Sequence, residues 1–269
     1  MKRIIVLSVI ASIICASCKK DIHLDLKSAA GLVVIEGNIN SDPGPYYVVV
    51  SRTITFYDSN TLVPVTDAKL IMTDNAGNRD SLIPFYYPGL YATQTMAGVV
   101  GRTYHLSVIV DGREYDASST LNPPVQVDSA GIQVFAFGGK QFWSPYCRFR
   151  DPAGIANYYN AVLYVNNKKQ SKANPINDQF DNGLTAQEYI SPDFFINLHD
   201  TVQVELDAID QPMYNYWYTL NNSTLSNLSA APANPVSNFS NNALGYFSAY
   251  SRTFSHHVVA DQYGFHRID

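Results

Sequence analysis

The sequence has little cysteine and, beyond its first residues, no long hydrophobic run. Two of its three cysteines, Cys15 and Cys18, lie near the N-terminus, which leaves Cys147 alone in the rest of the chain. A disulfide framework is therefore excluded, and stability must come from the burial of apolar surface. No stretch after residue 17 approaches the roughly 20 apolar residues that a transmembrane helix needs. This excludes a helical protein that crosses the membrane several times.

Basic residues are outnumbered by acidic ones. The chain has 18 lysines and arginines against 23 aspartates and glutamates, which gives a net charge of −5. Removal of residues 1–17, which contain two basic residues and no acidic one, leaves 16 against 23 and a balance of −7. Because nucleic acids are bound through clustered positive charge, this balance argues against nucleic acid as a partner.

The common catalytic motifs are missing as well. The sequence has no Gly-x-Ser-x-Gly elbow, no His-Glu-x-x-His zinc motif and no phosphate-binding loop. We therefore expect no enzymatic activity and no cofactor. Hydrolysis stays open as the weakest hypothesis, because a glycosidase needs only two facing carboxylates, which distant strands can supply. The glutamates lie mostly in strand-like segments, where we expect them to face solvent: Glu36, Glu114, Glu188 and Glu205.

The chain begins with the pattern of an export signal at residues 1–17. A basic start is followed by an apolar run over residues 4–14 and by two small residues before Cys18, the order typical of a cleaved signal peptide. The five residues that end at Cys18 resemble a lipobox, with Cys15 in place of the usual leucine. This resemblance predicts cleavage before Cys18 and its acylation. Ordinary cleavage near Ser17, without a lipid, is the alternative.

Acylation of Cys18 predicts a lipid-anchored protein of the outer membrane that faces the periplasm or the cell exterior. Several acyl chains anchor a protein stably, whereas a single chain is marginal. Residues 18–30 show no sustained hydrophobic period and are predicted to form a tether between the lipid and the folded part.

The mature chain alternates apolar and polar residues with the period of β-strands. Residues 104–110 are one example, and tight-turn sequences such as Asp111-Gly112 separate the alternating segments. About seven such segments between residues 31 and 122 predict a β-sandwich. The fold class predicted is all-β, with two β-sandwich domains and one short helix in the second.

Tandem prolines predict a domain boundary at Asn122-Pro-Pro124, since proline supplies no donor to a β-ladder. The first domain is then 31–122 and the second, β-rich domain is 125–255. Residues 256–269 are predicted to be a solvated tail.

One segment of the second domain has helical spacing and predicts a short helix over 211–221. Asp210 can cap its N-terminus, and Pro212 lies in the first turn. A buried stripe on this helix leaves Tyr214 and Tyr218 together on another face, where we expect both to be exposed. Exposed tyrosines are common anchors at recognition surfaces, so this pair is the predicted binding site. The alternative is that these aromatic residues are core residues.

Several polar clusters have both a functional and a structural interpretation. Calcium ligands are one interpretation of two groups, although ordinary turns are the favoured one: Asp74, Asn75, Asn78 and Asp80, and Asp178, Asp181 and Asn182, which precede Gly183. A transition-metal site formed by His256, His257, His266 and Asp261 is less favoured than a solvated tail, so no metal is expected. Three Asp-Ser/Thr-apolar sequences resemble O-glycosylation sites of exported proteins of Bacteroidota, with acceptors at Ser81, Ser129 and Thr201.

The mature chain as a whole resembles the domain of unknown function 4249, a family of uncharacterised lipoproteins of Bacteroidota. The resemblance rests on the order and spacing of short strings: Leu32-Val-Val-Ile-Glu-Gly37, Ser51-Arg-Thr53, Val65-Thr-Asp-Ala68 to Gly77, Gly89-Leu-Tyr91, Gly101-Arg-Thr-Tyr104, Pro124-Val-Gln-Val-Asp-Ser129, Tyr216-Trp217 and Asn242-Ala-Leu-Gly-Tyr-Phe247. The first domain alone also looks like immunoglobulin-like and carboxypeptidase-regulatory-like sandwiches.

The family brings no catalytic residues, but the resemblance implies a setting. Such lipoproteins look like companions of TonB-dependent outer-membrane receptors, which makes a receptor the expected partner. The leading hypothesis is therefore a non-enzymatic accessory protein that binds such a receptor. The second hypothesis is a surface protein that binds a glycan or a peptide, and the third is a hydrolase.

Overall fold

The computed structural model of the protein describes residues 31–54, 62–225, 234–261 and 264–268. The predicted signal peptide, Cys18 and the predicted tether lie outside these residues. The strands before the predicted boundary are β1 (Val33–Asn40), β2 (Tyr47–Arg52), β3 (Val63–Pro64), β4 (Lys69–Asp74), β5 (Arg79–Pro84), β6 (Leu90–Ala92), β7 (Thr103–Val110) and β8 (Arg113–Thr120).

The strands after the boundary are β9 (Val127–Phe137), β10 (Lys140–Arg150), β11 (Tyr158–Val165), β12 (Lys168–Lys169), β13 (Pro175–Asn177), β14 (Thr185–Tyr189), β15 (Thr201–Ile209), β16 (Leu244–Phe254), β17 (His257–Asp261) and β18 (Gly264–Ile268). The helix α1 spans Gln211–Leu225. The prediction of an all-β sandwich fold is confirmed.

The first sandwich has two layers joined by β5, which pairs with β4 on one side and with β6 on the other. One layer continues from β6 through β2 and β1 to β16, and the other from β4 through β7 to β8. Alternate residues of each strand face the space between the layers, and Ile35, Val48 and Leu106 are fully buried there. Each such side chain contributes about 1.5–3 kcal/mol on burial. The core of this sandwich is therefore the set of inward positions that the alternation predicted.

Strand β16 belongs to both sandwiches. Its first part, Leu244 to Tyr250, runs parallel to β1, and its last residues pair antiparallel with β15. Phe247 is fully buried and packs in the core of the first sandwich. Gly245 permits this close pairing, because a Cβ at that position would lie 2.0 Å from the carbonyl oxygen of Ile35. The first core is thus completed by residues that follow the predicted boundary by more than a hundred positions.

The second sandwich packs two smaller layers face to face. One layer contains β12, β11, β15 and the end of β16, with β13 and β17 at its margins; the other is the three-stranded sheet β14-β10-β9. Phe149 and Tyr159 meet between them with ring centroids 4.8 Å apart. The predicted boundary at residues 122–124 separates this core from the first one, except for β16 and the segment before it.

The segment predicted as a solvated tail instead forms a β-hairpin on the second sandwich. β17 pairs with β15 through Thr201 and Val202, and β18 pairs with β17. Val258 and Ala260 alternate inward and are buried. The prediction of a tail was wrong because it was based on the histidines of residues 256–269. The inward side chains of Val258 and Ala260 were the signal for a strand that extends the sheet.

Helix α1 follows the prediction closely. Asp210 caps it by accepting a hydrogen bond from the Met213 amide at 3.1 Å. Met213 and Tyr216 are buried against the sheet, as the predicted stripe requires. In the part of the chain that the structure describes, no helix is both long and apolar enough to span a bilayer.

Candidate functional site

A cavity of about 400 Å³ lies between α1, residues 169–173 and the outer face of the sheet formed by β1, β16, β15 and β11. We refer to it as the helix cavity. Every second residue of these strands points out of the sandwich cores, which brings polar side chains to its floor. The floor includes Asn38 from β1, Asp207 from β15 and Asn160 from β11. The helix and the segment 169–173 cover this face, so both faces of the sheet are buried at this point.

Two carboxyl groups lie buried at or beside this cavity. Glu205 and Asp207 are two residues apart on β15 and share its outer face, and their exposures are 0% and 6%. Glu205 accepts a hydrogen bond from the hydroxyl of Tyr164 at 2.6 Å and lies 3.5 Å from the guanidinium of Arg252. Burial, reinforced by the charge of Glu205, raises the pKa of Asp207 well above its usual range. Burial thus favours the protonated form of Asp207, while Glu205 is held by Tyr164 and Arg252.

The sequence analysis missed this pair. Glu205 was expected to face solvent, since it alternates with the apolar residues Val204 and Leu206. The structure corrects that expectation, because the outer face of β15 is covered by other parts of the chain. The alternation of apolar and polar residues along a strand indicates which face is buried in the sandwich core. It gives no signal that a helix distant in the sequence covers the other face.

Two buried oxygens at the helix cavity have no hydrogen-bond donor. They are Oδ1 of Asp207 and Oε1 of Gln170, and both residues line the cavity. Gln170 is 5% exposed, and its amide nitrogen donates to the Lys168 carbonyl at 3.2 Å. A buried acceptor without a donor costs about 1–3 kcal/mol. The cavity therefore presents acceptor atoms that a bound donor could satisfy.

Aromatic rings form one wall of the helix cavity. Trp217 packs on Tyr246 with ring centroids 5.0 Å apart, and Tyr250 lies further along the same face of β16. Burial raises the pKa of Tyr250 to about 12. The wall thus offers apolar ring faces beside polar side chains, a combination typical of small-molecule sites.

The concave surface continues from the helix cavity toward the first sandwich. Asn38 and Tyr246 also border a second concavity, of about 480 Å³, whose far side is formed by Tyr47 and the residues 85–87. Tyr86 at its rim is 94% exposed. A chain-like ligand in the helix cavity would therefore find further aromatic side chains along one direction.

A separate, exposed aromatic face lies on the opposite layer of the second sandwich. It consists of side chains on the outer face of β9, β10 and β14 and on the loop that follows β14, and we refer to it as the aromatic face: Phe135, Phe137, Phe142, Tyr189, Phe194 and Phe195. Phe142 contacts Phe195 at 5.9 Å and Phe135 contacts Tyr189 at 6.0 Å between ring centroids. Phe137 and Phe195 are 81% and 75% exposed.

The predicted binding pair on α1 is only partly exposed. Tyr218 is 51% exposed, but Tyr214 is half-buried. The Tyr214 ring lies between Tyr158 and Tyr218, and its hydroxyl accepts a hydrogen bond from Asn177 at 2.9 Å. The expectation that both rings are exposed is therefore corrected, because β13 packs beside the helix on this side.

In the first predicted calcium cluster, both carboxylates already accept hydrogen bonds from other groups of the chain. Asp74 accepts hydrogen bonds from the amides of Ala76 and Asn78 and from Arg102 at 2.8 Å. Oδ2 of Asp80 accepts three backbone amides, those of residues 94–96. These hydrogen bonds hold the pKa of both carboxyl groups below the usual value although burial opposes them.

The second cluster is likewise part of a turn. Asp178 accepts a hydrogen bond from the Asn157 amide at 2.9 Å, and Asn182 accepts one from the Gly154 amide at 2.8 Å. Gly183 donates its amide to Asp151. Among the described residues, no group of three or more histidine, cysteine, aspartate or glutamate side chains is arranged to hold a metal ion. The side chains of Asp261 and His266 lie outside that part.

The three predicted glycosylation acceptors all lie in strands. Ser81 on β5 and Ser129 on β9 are exposed, and Thr201 at the start of β15 is half-buried. Cys147, the remaining cysteine, is fully buried, and burial raises the pKa of its thiol to about 12. This thiol is therefore shielded from reaction at neutral pH.

In the residues that the structure describes, the fold is all-β, with two sandwiches that share a strand, the helix cavity and the aromatic face. The chain belongs to the family described as domain of unknown function (DUF4249), whose sequence model matches residues 19–255. This confirms the family resemblance inferred from the sequence. A search of curated proteins gave no match.

Proposed function

We propose that this protein is a lipid-anchored, non-enzymatic accessory protein of the outer membrane that binds a TonB-dependent receptor through the aromatic face. The observation that carries the proposal is the exposure of Phe137, Phe194 and Phe195 on one continuous surface. Apolar rings exposed together are unfavourable in water, and such patches usually mark sites that another protein covers. The setting in the outer membrane and the choice of receptor follow from the family resemblance.

The N-terminal sequence supports a partner within the membrane. An acylated Cys18 would hold the chain at the bilayer, and the predicted tether 18–30 has 13 residues. A fully extended chain of that length spans about 45 Å, at roughly 3.3–3.6 Å per residue. The folded part would therefore remain close to the membrane surface, which raises its effective concentration toward receptors in the same membrane.

The absence of enzymatic activity is part of the proposal. Glu205 is completely buried and held by Tyr164 and Arg252, so this carboxylate is committed to contacts within the chain. A pair of carboxyl groups that acts on a glycosidic bond must reach both sides of that bond. This arrangement favours binding over hydrolysis.

Site-specific photocrosslinking in intact cells tests the proposal. A photoreactive amino acid at Phe195 should crosslink to a TonB-dependent receptor, and the same amino acid at Phe180 should not. Phe180 is a matched control, because it is 83% exposed and lies outside the aromatic face. Phe194→Ser with Phe195→Ser should abolish co-purification of the receptor, whereas Phe180→Ser should leave it unchanged. Equal crosslinking at both positions, or no receptor among the products, would contradict the proposal.

A further inference from the structure

The helix cavity is distinct from the aromatic face, and its chemistry points to a small ligand. Its floor and one wall come from four strands of both sandwiches, and α1 and residues 169–173 close it from the other side. Its volume of about 400 Å³ lies within the roughly 300–1,000 Å³ of typical small-molecule sites. We propose that the helix cavity binds a neutral sugar residue of a glycan, held by hydrogen bonds to Gln170 and Asp207 and by packing on Trp217.

The unpaired atoms indicate what the ligand must supply. Oε1 of Gln170 and Oδ1 of Asp207 are acceptors without donors, and both side chains are more than nine-tenths buried. A hydroxyl group is both a donor and an acceptor, so a ring with several hydroxyl groups can satisfy these atoms and also bond to the amide of Asn38. A ligand without hydrogen-bond donors would leave both acceptor oxygens unpaired, at the same cost in free energy as in the empty cavity.

The charges around the cavity favour a neutral ligand. Lys169 and Lys172 line it and would repel a cation, while a carboxylate or phosphate group has no proton to donate to the unpaired oxygens of Gln170 and Asp207. Burial raises the pKa of Asp207 and favours its uncharged form, and its side-chain hydrogen bond to Glu205 leaves Oδ1 as the acceptor that faces a ligand. Neutral hydroxyl groups can bind in this environment without burying an unpaired charge.

The aromatic wall supplies the apolar part of the binding. The rings of Trp217 and Tyr246 are tilted by 56° with centroids 5.0 Å apart, and both border the cavity. A sugar ring has one apolar face of C–H groups that packs on an aromatic ring, while its rim of hydroxyl groups reaches polar side chains. The second concavity, which shares Asn38 and Tyr246, could take the next residue of the same glycan.

Tryptophan fluorescence offers a direct test, because the sequence has only two tryptophans, Trp143 and Trp217. In a Trp143→Phe background, Trp217 is the only tryptophan that reports. A panel of neutral trisaccharides built from glucose, galactose, mannose and xylose is titrated into the full chain up to millimolar concentration. We expect at least one to change the Trp217 emission in a saturable way. If no member of the panel does so, the proposal is overturned.

Two matched variants locate the binding. Gln170→Leu should weaken affinity about tenfold, since it removes one acceptor that only the ligand satisfies. It should change the melting temperature little without sugar, because it removes the unpaired oxygen together with the hydrogen bond to the Lys168 carbonyl. Gln187→Leu, at an exposed position on β14, should leave affinity unchanged. Equal affinity of the two variants would overturn the proposal.

A charged probe and a product assay complete the design. Binding of glucosamine in the absence of binding by neutral sugars would overturn the assignment of a neutral ligand. Cleavage of a bound trisaccharide would support the site but contradict the non-enzymatic function proposed above. Receptor crosslinking at Phe195 does not involve the helix cavity. The experiments therefore distinguish failure of receptor binding by the aromatic face from failure of sugar binding in the helix cavity.

Discussion

The hydroxyl group of Ser119 donates a hydrogen bond of 2.8 Å to the carboxylate of Asp210 and joins the two sandwiches at the start of α1. The same Ser119 oxygen accepts the backbone amide of Ala249 on β16 at 2.8 Å. Asp210 also accepts the amides of Thr120 and Met213. One carboxylate thus caps the helix and fixes it to the last strand of the first sandwich.

We predict that Asp210→Ala destabilises the protein by about 2–4 kcal/mol. Loss of a helix cap costs about 1 kcal/mol, and leaving the amide of Thr120 without an acceptor adds about 1–3 kcal/mol. Urea unfolding of the single variants and of a Ser119→Ala, Asp210→Ala double variant measures the effect. The coupling energy between the two positions should be about 1 kcal/mol, and strictly additive losses would contradict the prediction.

The raised pKa of Asp207 predicts a specific pH dependence of stability. The folded protein holds this proton more tightly than the unfolded chain does. The resulting stabilisation is complete below the ordinary carboxyl pKa and is lost as the pH rises through the raised pKa of the folded state. Asp207→Asn cannot lose a proton there.

The stability of Asp207→Asn relative to the wild type should therefore increase as the pH rises above about 4. Unfolding free energies measured across the pH range check this, with Glu114→Gln as a control for removing one exposed carboxylate. Asp74 and Asp80, whose pKa values are lowered, contribute the opposite trend to both proteins and cancel in the difference. A difference that does not vary with pH would contradict the prediction.

Substitutions on α1 should separate the exposed face from the packed one. Tyr218→Ala should change the unfolding free energy by less than about 0.5 kcal/mol, as for most exposed positions. Tyr214→Ala should cost about 1–2 kcal/mol, because it removes packing on Tyr158 and leaves Asn177 without its acceptor. Trp217→Ala should cost the most of the three, because its half-buried ring packs on both Tyr216 and Tyr246. Chemical unfolding of the three variants measures how much unfolding free energy each one loses. Equal losses would contradict the exposed and packed faces described for α1.

Lipid attachment is predicted at Cys18 alone. Cys18→Ala should give an unprocessed precursor or a soluble product, since acylation supplies the strong attachment to the membrane. Cys15→Ala is the matched control and should be processed and acylated normally. Metabolic labelling with a fatty-acid probe and membrane fractionation measure both variants. Normal labelling of Cys18→Ala would refute the assignment.

The O-glycosylation sites are predicted to differ in occupancy. Ser81 and Ser129 are exposed and should be modified more completely than the half-buried Thr201, because a transferase must reach the hydroxyl group. Intact mass of the mature protein from its native cells, compared with Ser81→Ala and Ser129→Ala, measures this. Ser81→Thr keeps a hydroxyl group and should retain the modification. A mass equal to that of the lipidated polypeptide would end this hypothesis.

The features that the sequence predicted well depend on local patterns. Alternation predicted β7, and the turn at Asp111-Gly112 follows from two residues that tolerate positive φ angles, which are 50° and 77° here. Helix α1 was predictable because Asp210 and Pro212 mark its first turn. Each of these signals lies within a few residues of the element it specifies.

The features that the sequence did not predict depend on contacts between distant segments. The burial of Glu205 results from coverage by side chains that are remote in the sequence, such as Arg252. The aromatic face was missed for a related reason: Phe135 and Phe195 join one surface only after their strand and loop have packed. No local period distinguishes an exposed ring from a buried one.

The position of β16 near the C-terminus has a consequence for how the protein matures. Synthesis proceeds from the N-terminus, so residues 31–122 are complete long before Phe247 follows. Until Phe247 arrives, the first sandwich lacks a strand and leaves one edge of β1 unpaired. Such an edge favours pairing with other chains. The synthesis of β16, and not the completion of residues 31–122, therefore sets the earliest moment at which the native fold can form.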